Sequence, residues 1–95
     1  MSRRRYLIAY DISDAKRLRR VLKVMEAYGT RLQYSVFLCD LTKAETLSWR
    51  SDILDVIELD KDSVVRIDLG AAAKPAMVDV IGLPRNLPRQ GVHII

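Results

Sequence analysis

The stretch Tyr6–Ile12 (YLIAYDI) runs apolar until an aspartate interrupts it at position 11. A run of strand length without polar alternation suits a central strand covered on both faces, and the rest of the chain must be arranged around it. A helix is predicted next. Ser13 or Asp14 can accept hydrogen bonds from its first free amides. Leu18, Val21, Leu22, Met25 and Tyr28 then recur at three- and four-residue spacing as one apolar stripe. Lys16, Arg19, Arg20 and Lys23 repeat on another face, and Gly29 is placed to end the helix in the left-handed conformation.

Arg31–Leu41 (RLQYSVFLCDL) alternates through Leu32, Tyr34 and Val36 and then becomes wholly apolar. That change of pattern favours two strands meeting near Tyr34–Ser35 over one long bent strand. Thr42 and Glu45 have the spacing of a capping box. The helix they open is expected to reach about Ile57 and to bury Leu47, Trp49, Ile53, Leu54, Val56 and Ile57. Asp52, Asp55, Glu58, Asp60 and Asp62 read as a solvated acidic face. Ser63–Leu69 alternates as a strand with Val65, Ile67 and Leu69 on one side, and Met77–Ile81 is a candidate short strand. The order strand, helix, two strands, helix, strand points to an α+β, ferredoxin-like βαββαβ sandwich, two helices on one face of an antiparallel sheet. Residues 1–95 form one domain, in which 82–95 are a linker containing Pro84 and Pro88 and an extra C-terminal strand. The apolar Val92–Ile95 (VHII) is expected to pair with another edge, most simply that of a partner in a swapped homodimer.

With 49% apolar and 29% charged residues, disorder is excluded as a description of the chain. No secretory signal and no stretch of membrane-span length is seen, and the lone Cys39 excludes an internal disulfide or a multi-cysteine zinc site. A reduced, cytoplasmic setting without membrane attachment follows as the expectation. The net charge of +4 is unevenly spread. Residues 1–31 carry nine Lys/Arg against three Asp/Glu, whereas 32–68 carry four against eight. A focused basic patch points to a polyanion, most often nucleic acid. Lys16, Arg17, Arg19, Arg20 and Arg31 are the candidate phosphate contacts, with Arg3–Arg5 as a flexible basic end. Tyr10, Tyr34 and Phe37 are either base-stacking groups or core.

Asp11, at the lip of the first strand, is either a turn residue or a carboxylate available for chemistry; Asp14 reads as a cap. No His-x-x-x-His, Cys-x-x-Cys or glycine-rich phosphate loop occurs, and a Ser-His-Asp arrangement would have to use the single His93. Phosphodiester hydrolysis by a metal-activated water best matches a carboxylate near arginines. One aspartate per chain holds an ion weakly, but a two-fold axis would supply a second copy.

From Tyr6 to Thr42 the chain resembles the CRISPR-associated Cas-two family of spacer-acquisition proteins. The resemblance rests on Tyr10-Asp11 ending the first strand, the Lys/Arg-rich helix, and Gly-x-Arg-x-Gln-x-Ser-Val-Phe from Gly29 to Phe37. It implies a ferredoxin-like homodimer with crossed C-terminal strands. It also implies an aspartate from each subunit, here Asp11, flanking a magnesium or manganese ion between the two subunits. Tyr10, Arg17, Arg19, Arg31 and Phe37 fall on other positions the family links to nuclease activity, on single-stranded RNA or double-stranded DNA. A further implied role is to bridge dimers of the CRISPR-associated integrase Cas-one. A metal-dependent endonuclease, a non-catalytic adaptor that holds spacer DNA, and a toxin-like ribonuclease therefore stand as alternatives.

Overall fold

The computed structural model describes residues 2–83 and 92–94. Strand β1 (Arg4–Asp11) is followed by helix α1 (Ala15–Tyr28), strands β2 (Thr30–Gln33) and β3 (Val36–Leu41), helix α2 (Lys43–Leu54) and strand β4 (Ser63–Ala71). All neighbours in the sheet are antiparallel, in the order β2-β3-β1-β4. Each helix thus connects two strands that flank a third, the doubled split βαβ arrangement of the ferredoxin-like sandwich. The expected break between β2 and β3 falls at Tyr34–Ser35.

Burial alternates along β1: Tyr6, Ile8 and Tyr10 face the helices and are buried. They meet Val21 and Met25 of α1, Trp49 and Ile53 of α2, and Phe37, Cys39 and Leu41 of β3. The indole Nε1–H of Trp49 donates to Met25 Sδ at 3.2 Å, and the Tyr28 hydroxyl donates to Asp52 at 2.6 Å, so the two helices are joined at two levels. That bond to Asp52 pushes the Tyr28 phenol up to about 12. Burial does the same to the Cys39 thiol, which packs as the small hydrophobe expected of it.

Both helix starts form as their sequences dictate. Asp14 accepts from the Arg17 amide at 2.9 Å, while Thr42 and Glu45 exchange bonds at 3.2 and 2.8 Å in a complete capping box. The end of α2 differs from expectation. It stops at Leu54, and the amides of Val56 and Ile57 both turn back onto the Ile53 carbonyl. Leu47 and Leu54 are exposed, because their positions on the helix turn them away from the side shared by Trp49 and Ile53.

Gly29 also departs from expectation. Its φ is −159°, extended backbone open to any residue, so no left-handed turn explains it. Space does: a Cβ here would overlap Cys39 Sγ and sit 2.6 Å from the Leu38 carbonyl oxygen. The glycine lets the end of α1 press against β3.

The helices cover one face of the sheet. On the other, β4 presents Val65, Ile67 and Leu69, each about half exposed. Met77–Ile81 does contain a strand, β5 (Val78–Val80), and β6 (Val92–Ile94) runs parallel to it. The edge that β6 meets here is thus one of its own chain. The linker prolines Pro84 and Pro88, and Ile95, lie outside the described residues.

Because the backbone of β3 cannot retreat from a new methyl at position 29, Gly29→Ala should lower unfolding stability by about 1–3 kcal/mol in a urea titration. A variant as stable as the parent would show that the close approach is not needed.

Candidate nucleic-acid interface and carboxylate site

Four of the nine basic residues in the first third of the chain are paired with carboxylates within the fold. Arg3 pairs with Glu45 at 2.6 Å, Arg4 with Asp68 at 2.9 Å, and Arg5 with Asp40 at 2.9 Å. The N-terminal arginines are therefore not a flexible basic arm; Arg4 and Arg5 are part of β1, and their partners hold them on its surface.

Arg17 is placed differently from expectation too. Its guanidinium donates to both carboxylate oxygens of Asp62 at 2.8 and 3.1 Å, with Glu58 at 3.5 Å beside it. The Asp62 side chain is 0% exposed and also accepts from the Ser13 and Glu58 amides at 3.0 and 2.9 Å. The Arg17 bond, helped by those amides, holds the Asp62 carboxyl well below the usual carboxylate range. Asp62 thus belongs to the interior and not to a solvated acidic face, and Arg17 is committed to it. No local pattern announces this partnership across 45 positions.

Lys16, Arg19, Arg20 and Lys23 remain exposed on α1 and together line a shallow concavity of about 350 Å³. Arg19 also borders a small cavity of about 80 Å³ with Tyr10, Leu18, Leu22, Arg31 and Tyr34. Here the expected residues Tyr10, Arg19 and Arg31 do come together. Arg31 donates to the Tyr34 carbonyl at 3.0 and 3.3 Å and lies against the Tyr34 ring. The Tyr10 hydroxyl donates to the same carbonyl at 3.3 Å. Burial pushes the Tyr10 phenol above its ordinary value, against the opposing pull of Arg31. Tyr10 is stacked on Phe37 with centroids 6.2 Å apart, and Phe37 is fully buried. Phe37 is a core residue that packs beneath Tyr10.

Asp11 stands apart from this cluster. It is exposed at the end of β1, opposite Ser63. By the alternation of β1 it falls on the side of Leu7 and Ala9, the face that the helices leave open. Among the described residues no salt bridge reaches it, in contrast to Asp14, Asp40, Asp62 and Asp68. Nor do the described residues contain a group of three or more His, Cys, Asp or Glu able to hold a metal. One chain offers one open carboxylate, which fits a hard cation only if waters, phosphate or a second copy complete its shell.

Comparison with known proteins agrees with this architecture. Residues 4–76 match the model of the family described as CRISPR associated protein Cas2. The CRISPR-associated endoribonuclease Cas2 2 of Thermodesulfovibrio yellowstonii is 38% identical over 94% of this chain and 93% of its own length. The CRISPR-associated endoribonuclease Cas2 1 of Rhodospirillum rubrum is 42% identical over 70% of this chain and 66% of its own. The crystal structure of Streptococcus pyogenes Cas2 superposes with a TM-score of 0.65 at 35% identity, covering 70% of this chain and 86% of that one.

The depressed Asp62 value sets a pH dependence. A carboxyl whose folded value lies below its unfolded value of about 3.9 stabilises the fold above that pH, and the contribution is lost as pH falls toward the folded value. The gap in melting temperature between the parent and Asp62→Asn should be full above about pH 5 and shrink below about pH 4. A gap of constant size from about pH 7 to about pH 3 would contradict the assignment.

Proposed function

The chain belongs to the CRISPR associated protein Cas2 family, and we propose that it acts in CRISPR adaptation as a homodimer with a divalent-ion-dependent phosphodiesterase centre. The observation that carries this reading is Asp11: an exposed carboxylate, engaged by no salt bridge among the described residues, at one end of the open sheet face that also presents apolar Val65 and Ile67. An exposed apolar sheet face favours a second copy of the chain, and a two-fold axis would bring a second Asp11 to the first. Magnesium or manganese suits such a pair, since hard ions of this kind take one or two carboxylates and keep several waters. Bound there, the ion would supply an activated water and neutralise charge on the phosphate. Asp11 of each copy holds that position, while Lys16, Arg19, Arg20 and Arg31 bind the phosphate backbone. RNA is favoured as substrate by the relatives' name, endoribonuclease, and DNA is the alternative. A cytoplasmic location accords with a buried, unpaired Cys39.

A second reading has its own support. α1 and its basic residues lie over the face opposite Asp11. Phosphate contacts separated from the carboxylate by the thickness of the sheet suit an adaptor that holds spacer DNA and bridges Cas-one integrase dimers. No reactive group needs to approach the DNA in that role.

Replacing Asp11 with Asn should reduce magnesium-dependent cleavage of RNA or DNA by more than about 100-fold, since even the outer partners of metal ligands cost about 10- to 100-fold. Retained cleavage by the purified variant would refute the catalytic reading. Glutamine at Lys16, Arg19, Arg20 and Lys23 should flatten the slope of log affinity against log salt by about 0.9 for each phosphate no longer neutralised. The double variant Arg17→Gln/Asp62→Asn, which removes the pair without leaving a buried carboxylate alone, should leave the slope unchanged, because Arg17 is bound to Asp62. The opposite pattern, a slope sensitive to the double variant alone, would overturn the assignment of the ridge.

A further inference from the structure

We propose that Tyr34 is a stacking platform for one unpaired nucleobase, at the end of the phosphate track formed by the α1 ridge. The inference deepens the nucleic-acid reading above and rests on it. Tyr34 is 66% exposed at the tip of the β2–β3 turn. A lone exposed tyrosine is ordinary; a fixed one is less so. The turn is pinned from two sides. The Tyr34 carbonyl accepts from Arg31 Nη2 and Nε and from the Tyr10 hydroxyl, and the Ser35 carbonyl accepts from the Tyr10 amide at 3.1 Å. The Arg31 guanidinium carbon lies 4.6 Å from the ring centroid, a cation–π contact that backs one ring face. A ring held this way gives up little freedom when a base settles on it.

The surroundings fit a nucleotide. On one side Tyr34 shares the small cavity with Arg19, and Arg19 continues into the ridge of Lys16, Arg20 and Lys23. On another it lines a cavity of about 420 Å³ together with Gln33, Ser35, Val36 and Val80, whose mixed polar and apolar walls suit the edge and face of a base. Cationic groups leading to a rigid aromatic form the pattern by which proteins bind single strands with little sequence preference. A paired base inside a duplex presents no free face, so the platform selects the unpaired nucleotides of a single strand.

The test uses the full chain without divalent ions, a single-stranded oligonucleotide carrying 2-aminopurine, and a blunt duplex of the same sequence. With Tyr34→Ala, affinity for the single strand should fall by about 5- to 100-fold, the range that stacking of one base produces, and quenching of 2-aminopurine should disappear. Duplex affinity and the salt slope should stay as in the parent, and Tyr34→Phe should keep both binding and quenching. Circular dichroism checks that the variants fold. Equal single-strand affinity in the parent and Tyr34→Ala, or an equal drop on single strand and duplex, overturns the platform while leaving the ridge in place. A parent chain that binds neither oligonucleotide overturns the nucleic-acid reading and the platform with it.

Discussion

Arg17 and Asp62 form the ion pair that sets the geometry around the site. Asp62 collects bonds from Arg17 in α1, from Ser13 ahead of that helix, and from Glu58 in the loop after α2. Immediately after it, Ser63 begins β4 opposite Asp11. One buried carboxylate therefore ties together the exit of β1, the start of α1 and the entry to β4. A buried charge deprived of its partner is strongly destabilising, whereas a fully bonded one can fix geometry. Here the bonds are complete, and no buried side-chain polar atom among the described residues lacks a partner.

This use of Arg17 changes what the net positive charge means. Arg3, Arg4, Arg5 and Arg17 are each paired with an acidic side chain. The exposed pairs among them add little stability, but they cancel charge locally and take those arginines out of competition for phosphate. The positive surface that persists around α1 is the ridge, with Arg31 on the neighbouring strand β2. The molecule thus has two chemically distinct sides, a cationic one built on a helix and an apolar one, bearing Asp11, built on the open sheet face.

What can be read from the linear chain is whatever is written in short-range spacing. The caps at Asp14 and Thr42, the apolar stripe of α1, the break at Tyr34–Ser35 and the sandwich order all follow from residues a few positions apart. Most of the features that spacing misplaces arise from approaches between distant segments. Asp62 looks like one more acidic residue after a helix, and only the approach of Arg17 makes it interior. Gly29 looks like a helix terminator, and only the nearness of β3 shows that it is a spacer. Leu47 and Leu54 look like core if hydrophobicity is weighed without helical angle. Phe37 falls among the positions that the resemblance links to nuclease activity, yet its full burial, stacked on Tyr10, makes it part of the core. Asp11 stands out in the sequence as a lone carboxylate at a strand end, while the face it occupies follows only from the register and alternation of β1.

If two chains share one ion through their Asp11 carboxylates, the stoichiometry of binding must show it. Calorimetric titration of the purified protein with manganese reads that stoichiometry without relying on catalysis. One ion bound per two chains is expected, with binding abolished in Asp11→Asn. One ion per chain, or a titration unchanged by the substitution, would contradict the shared site.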